Sequence, residues 1–279
     1  MVKLCNREFS PVSESKRLFH SYRQTETMKS NFPSNLNDFD FSMMPPSILG
    51  HLNFRFRDPD QPPLPPGTHS LNVLLELPGE RDTLLIVPEG LDTTAPVKLL
   101  VMFHGAGGSA EKVMPFFKEH AEKNKFLLMI PQSTYITWDL TIGGNGPDLE
   151  RLDRALDKVN SHFNLDRNHF GFCGFSDGAS YSLSIGLSNG ETVSHVIALS
   201  GGFMNLYVPR GRPLVFIAHS PEDEQLPMDI SGLHHYKELK KAGYDIEFME
   251  FHGRHLIHPH VVDKAMKFYL DRSPGRPQS

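Results

Sequence analysis

A serine set between two glycines, a later loop of crowded acids and a final loop of histidines are the residues of this chain whose types and spacing could do chemistry. The serine is Ser176, in Gly174-Phe175-Ser176-Asp177-Gly178. The residues before it, His169-Phe170-Gly171-Phe172-Cys173, read as a short buried strand, and Ala179-Ser180-Tyr181-Ser182-Leu183 after it reads as a helix. A G-x-S-x-G joining strand to helix is a nucleophile elbow. Its turn is too sharp to leave room for side chains two positions either side of the serine, so glycine is required there. The strained turn holds the hydroxyl out at the sheet edge, and the free N–H groups at the helix start favour negative charge at the same spot. The bland alternative is a small-residue turn where a helix packs closely on a strand, so the remaining parts must decide.

An acyl-transfer serine needs a base, an acid that orients the base, and two donors for the oxyanion. The donors are assigned to the backbone N–H of Ala106, in His104-Gly105-Ala106-Gly107-Gly108 after an apolar strand, and to that of Asp177. Glycines in such a loop let N–H groups turn inward with no Cβ in the way. A nucleotide-binding reading of the loop fails, because it lacks both G-x-G-x-x-G and the Lys-Ser/Thr of a P-loop. The acid is sought in His219-Ser220-Pro221-Glu222-Asp223-Glu224-Gln225-Leu226-Pro227, where Asp223 is chosen among three; residues 196–212 hold no Asp or Glu. The base is sought among His252, His255, His258 and His260. His252 falls at a strand end, and His258 precedes Pro259, which biases it to extended backbone. His255 sits in the middle of the loop, free to reach the serine. Zinc is the rival for clustered histidines, but no H-E-x-x-H is present and no acid falls within the cluster.

These residues must be carried by a regular scaffold, and from Gly67 the chain alternates strand and helix. Strands are expected at His69–Leu77 and Arg81–Pro88, joined by a turn at Pro78-Gly79, and at Lys98–Phe103, Phe126–Ile130, His195–Leu199, Pro213–Ala218 and Asp245–Phe251. Helices are expected at Ser109–Lys123, burying Val113, Phe116, Phe117 and His120; from a cap at Asp148 to Phe163; after the elbow; and at Ile230–Ala242 and Val261–Asp271. Such alternation means a mainly parallel sheet covered on both faces, the α/β class. Residues 67–272 are therefore expected to form one catalytic domain. Residues 1–66 are expected to form an N-terminal extension, partly disordered or docked, rich in proline after Pro59 but with apolar side chains between Phe39 and Phe56. Residues 273–279 are a short tail.

The chain has 279 residues, 39% apolar and 22% charged, with a formal charge of −5. No long basic run points to a nucleic-acid or anionic-membrane partner. No stretch approaches transmembrane length and no signal peptide is seen, so the expected compartment is the cytoplasm. Two cysteines, Cys5 and Cys173, provide no disulfide framework. No cofactor or metal is called for, and nothing in the sequence sets an oligomeric state.

Residues 67–272 resemble the small serine esterases of the α/β-hydrolase superfamily, the carboxylesterase and phospholipase-like proteins near the polyhydroxybutyrate depolymerase and feruloyl esterase groups. The resemblance lies in Leu99–Gly108, Thr137-Trp138-Asp139, Gly174–Gly178, Ala198–Phe203, His219–Pro227 and Gly253-Arg254-His255. An H-G-x-x-D-x-x-x-P register puts the acid on Asp223, and a G-G-H register puts the base on His255. Ser220 and Arg254 each stand where the pattern has glycine. What the resemblance implies is ester hydrolysis through Ser176, His255 and Asp223, with a small-molecule ester as substrate. Thioesters are the nearest alternative, and a non-catalytic receptor or scaffold on the same fold is the rival from another class. Tyr135 and Trp138 offer an apolar wall for an acyl or aryl group. Gly201 to Arg212 is too short for a helical cap, so the site is expected to be lidless, unless residues 39–56 fold over it.

Overall fold

The computed structural model describes residues 47–76, 81–142 and 146–275, all within one compact unit that spans residues 44–279. Among the described residues the eight strands are β1 (Gly67–Ser70), β2 (Leu84–Val87), β3 (Val97–Phe103), β4 (Leu127–Ile130), β5 (Leu165–Phe175), β6 (His195–Leu199), β7 (Leu214–His219) and β8 (Ile246–Glu250). They form one sheet in the order β1-β2-β4-β3-β5-β6-β7-β8. Only β1 and β2 run antiparallel to their neighbours; β3 to β8 are parallel. The parallel strands are covered on both faces, which explains their continuous apolar runs: every residue from Leu99 to Phe103 is buried.

The α-helices are α1 (Leu71–Leu74), α2 (Ala110–Asn124), α3 (Pro147–His162), α4 (Asp177–Ser188), α5 (Gly232–Lys241) and α6 (Pro259–Asp271). Two hydrophobic clusters sit on the two faces of the sheet. One gathers Leu99, Val101 and Phe103 with α3 and α4, the other Leu100 and Met102 with α2 and α6. Eleven of the twelve residues of α4 are buried, which makes it the central helix. Its serines suit that place, because Ser180, Ser184 and Ser188 return their hydroxyls to the helix or lend them to the next loop.

Several local expectations are corrected. The strand expected over His69–Leu77 ends at Ser70, whose hydroxyl accepts from the Val73 N–H and starts the single turn α1. Phe116 is not on the buried face of α2, where Val113 and Phe117 are. Asp148 does not cap α3: Gly146 holds that place, and the Asp148 carboxylate accepts from the N–H groups of Thr134 and Asp139 instead. The Pro78-Gly79 turn and residues 1–46 lie outside the described residues.

Residues 47–66 form no strand, yet Leu52 and Phe54 lie in the core, Phe54 stacked on Phe170 at 5.5 Å between ring centres. Their backbone finds partners in side chains of the helices. Asp153 accepts from the N–H of Asn53 and Phe54, Asn189 bridges Gly50 and Leu52, and Asn160 holds Arg57. This segment follows α3 and the C-terminal end of α4, the end away from Ser176.

Candidate active site

The chain crosses from one side of β3 to the other between β4 and β5, so the carboxyl ends of β3 and β5 meet at a switch in strand order, where open α/β sheets place their ligand crevice. The loop 104–108 leaves β3 there and Ser176 leaves β5. Ser176 has φ 56° and ψ −122°, a left-handed conformation that a non-glycine residue adopts only under constraint. The constraint is steric. A Cβ on Gly174 would lie 2.0 Å from the Gly178 oxygen, and one on Gly178 would lie 2.2 Å from the Phe103 oxygen. Only glycines let α4 close so tightly on β3 and β5. The Ser176 N–H donates to the Leu199 oxygen at 3.0 Å, tying the turn to β6.

Ser176 Oγ lies 2.8 Å from His255 Nε2, and His255 Nδ1 lies 2.7 Å from Asp223 Oδ2. A carboxylate accepts, so Nδ1 carries the proton and Nε2 is free to accept from the serine. The His255 ring lies against Phe175 at 4.9 Å, and the Asp223 side chain has no exposure. Burial disfavours charge on Asp223, but hydrogen bonds from His219, His255 and the Leu226 N–H outweigh it and hold the carboxyl well below the usual range. Asp223 Oδ1 accepts from the N–H groups of Gln225 and Leu226 at 3.0 and 2.9 Å. Of the other histidines, His252 pairs with Glu222 at 3.0 Å and His258 caps α6. Of the other acids, Glu222 is exposed in that pair and Glu224 is exposed. Ser220 and Arg254 take no left-handed backbone; Gly253 supplies the unusual conformation of the base loop at φ 152°.

Loop 104–108 passes close over the serine: a Cβ on Gly105 would meet the Ser176 Cβ at 3.2 Å. His104 holds the loop from beneath. Its Nδ1–H donates to the Gly105 oxygen, while Nε2 accepts from the Gln132 side chain and the Ser133 N–H. Burial brings His104 down to about 4, so it stays neutral, as those acceptor bonds require. Asp177, first in α4, accepts from the Thr137 hydroxyl at 2.7 Å, which ties the segment after β4 to the elbow. Burial pushes its carboxyl up, against that hydrogen bond and the nearby His255.

Trp138 is not a wall for substrate. It is 1% exposed, stacked on Tyr181 and edge-on to Phe103, and its indole N–H donates to the His104 oxygen at 2.8 Å. The indole supports the loop from the core side. Tyr135 and Ile136, its near neighbours in the chain, are exposed. Gly201 to Arg212 forms no helix; it is pinned to α4, Ser180 Oγ accepting from Gly202 and Phe203 and Ser184 Oγ from Asn205. Sequence reasoning passed over His219, four residues before Asp223, and Thr137; both stood within stretches that carried the resemblance. Among the described residues no group of three or more His, Cys, Asp or Glu could hold a metal ion. No helix there is long and apolar enough to cross a membrane.

The sheet, its crossover and the strained serine turn define the α/β-hydrolase fold. Solved structures agree. The crystal structure of esterase PE8 is similar with a TM-score of 0.55 at 21% identity, over 67% of this chain and 96% of that one. The Bacillus cereus carboxylesterase is similar with a TM-score of 0.54 at 19% identity, over 71% of this chain and 97% of that one. In sequence, the chain is 26% identical over 176 residues to a probable feruloyl esterase C of Aspergillus niger, a match covering 60% of this chain. It spans 62% of the length of that relative. No family model matches the chain.

Proposed function

We propose that this protein is a serine hydrolase of carboxylic esters. The observation that carries the reading is the continuous path from Ser176 Oγ through His255 to Asp223, at 2.8 and 2.7 Å, on an elbow with a left-handed serine. In this reading His255 Nε2 takes the Ser176 proton as Oγ attacks the ester carbonyl carbon. Asp223 keeps the imidazole in the Nδ1–H tautomer and stabilises the imidazolium that forms. The N–H groups of Ala106 and Asp177 receive the oxyanion, the second aided by its place at the start of α4. His255 then gives its proton to the leaving alcohol, leaving an acyl group on Ser176. A water, deprotonated by His255, attacks that acyl group, and the acid leaves as Ser176 recovers its proton. Tyr135, exposed and in the segment that Thr137 ties to the elbow, would meet an acyl or aryl group. The relatives' name makes hydroxycinnamoyl esters a class to include beside simple alkyl and aryl esters.

The test is Ser176→Ala, assayed on p-nitrophenyl acetate and by fluorophosphonate labelling. The variant should stay folded, lose labelling, and lose kcat by on the order of 10³-fold or more. Retained labelling, or activity within about tenfold of wild type, would refute the assignment.

A further inference from the structure

We propose that Arg81 is a positioning residue for the oxyanion donor at Ala106, an inference that rests on the esterase reading above. Three of the five residues in loop 104–108 are glycine, and Ala106 and Gly107 are exposed, so the loop has little side chain with which to pack itself. Its shape must come from outside. The Gly105–Ala106 peptide is planar and trans, so the Ala106 N–H is aimed by wherever the Gly105 carbonyl is held. That carbonyl accepts from His104 Nδ1–H at 2.8 Å and from the Gly108 N–H at 3.0 Å. Gly108 is in turn fixed by Arg81, whose guanidinium donates to the Gly108 oxygen at 3.0 Å.

The other arm of the same guanidinium donates to the Tyr135 oxygen at 2.6 Å. One residue further on, the Ile136 oxygen accepts from the Gly107 N–H at 2.7 Å. Arg81 therefore stitches the oxyanion loop to the segment carrying Tyr135 and Thr137, and Thr137 binds Asp177. Both proposed donors sit on parts that this one fork holds in register. Arg81 is itself braced: its carbonyl accepts from the Asn72 side chain at 2.9 Å and from the Arg151 guanidinium at 3.4 Å. A planar fork can serve two carbonyls at once with little further loss of freedom, which a lysine ammonium on a flexible stem cannot match. The side chain is only half-buried, so a small guanidinium ion from solvent can reach the gap left by its removal.

The experiment compares wild type, Arg81→Ala and Arg81→Lys on p-nitrophenyl acetate, with melting temperatures, and repeats Arg81→Ala in millimolar guanidinium chloride against an equal concentration of sodium chloride. Misaiming one oxyanion donor acts on the transition state, so kcat should fall about tenfold to a hundredfold while KM moves by less than about threefold. Guanidinium should recover part of the lost kcat, sodium should not, and the lysine variant should lie between alanine and wild type. A folded alanine variant with wild-type kcat overturns the proposal. So does a loss seen only in KM, or one that neither guanidinium nor lysine reduces. If alanine prevents folding, the lysine variant's kcat at unchanged KM decides in the same way. Wild-type turnover and fluorophosphonate labelling are read first, so that failure of the esterase reading is told apart from failure of Arg81; a wild-type chain without either overturns both.

Discussion

If the proposed hydrolase mechanism holds, replacing Asp223 by asparagine, nearly the same size, should abolish most turnover by trapping the wrong tautomer of His255. Asp223 Oδ1 accepts from two backbone N–H groups, those of Gln225 and Leu226, at 3.0 and 2.9 Å. An asparagine must put its carbonyl oxygen there, which turns its NH2 toward His255 at the place of Oδ2, 2.7 Å from Nδ1. Facing a donor, Nδ1 must become an acceptor, so the ring proton moves to Nε2 and the acceptor for the Ser176 hydroxyl is lost. Flipping the amide restores the tautomer but turns an NH2 against two part-buried N–H groups, each unsatisfied group costing up to about 1–3 kcal/mol. Loss of the charged hydrogen bond to the imidazolium adds about 1.5–3 kcal/mol. Together these give a barrier increase of roughly 3.5–9 kcal/mol, so kcat on p-nitrophenyl acetate should fall by on the order of 10³-fold or more. The companion variant is Asp223→Ala, which leaves the imidazole free to choose its tautomer and should keep more activity than asparagine. Stopped-flow or plate kinetics on both, with melting curves to verify folding, make the comparison. Asparagine within about tenfold of wild type, or clearly more active than alanine, would refute the tautomer argument.

Trp138→Phe removes the hydrogen bond to the buried His104 oxygen and leaves a void, so it should lower the melting temperature by about 5–10 °C with KM for aryl esters nearly unchanged; a raised KM at an unchanged melting temperature would return Trp138 to the substrate wall. Burial holds His104 and His235 at about 4 and His195 at about 3. The unfolded chain binds more protons at these sites below about 6.5, so stability should fall as pH drops from there toward 4, by about 3 kcal/mol for His104 alone. The depressed Asp223 carboxyl acts in the same direction at lower pH, its contribution being lost as pH falls below the unfolded carboxylate value of about 3.9 toward the folded one. Burial raises the carboxyls of Asp139, Asp153 and Asp177, which acts the other way, so the test is the difference between wild type and His195→Gln: the variant's melting temperature should fall less between pH values of about 6.5 and 4.5, and parallel profiles contradict the argument. With residues 201–206 pinned to α4, activity on a long-chain ester series should pass smoothly through the critical micelle concentration; a sharp rise there would show a lid.

The sequence by itself determined the α/β class, the strand-turn-helix around Ser176 and the positions of the later strands. The reason is local. Strands buried on both faces must be apolar throughout, as Leu99–Phe103 and Leu214–Ala218 are, and a turn whose Cβ positions are occupied by neighbouring backbone can be built only with glycine, as at Gly174 and Gly178. Asp223 and His255 were legible as members of an acid loop and a histidine loop at the right places in the order of the chain. What only the tertiary structure decided is which groups meet across long stretches of sequence. The mid-loop place of His255 favours it over His252 and His258, but only the fold puts its ring 2.8 Å from Ser176 Oγ, 79 residues away in the chain, while His252 pairs with Glu222 at the surface. Trp138 faces the core and Tyr135 the solvent, a difference no alternation in an irregular loop encodes. Leu52 and Phe54 join the core without strand periodicity, because Asp153 of α3 and Asn189, the residue that ends α4, supply the partners that their backbone needs. Arg81, in a short connection before β2, carries no motif at all. Its guanidinium reaches two carbonyls because the antiparallel pairing of β2 with β4 brings residues 81–83 beside the end of β4, and pairing between distant segments is a property of the folded sheet rather than of any stretch of its residues.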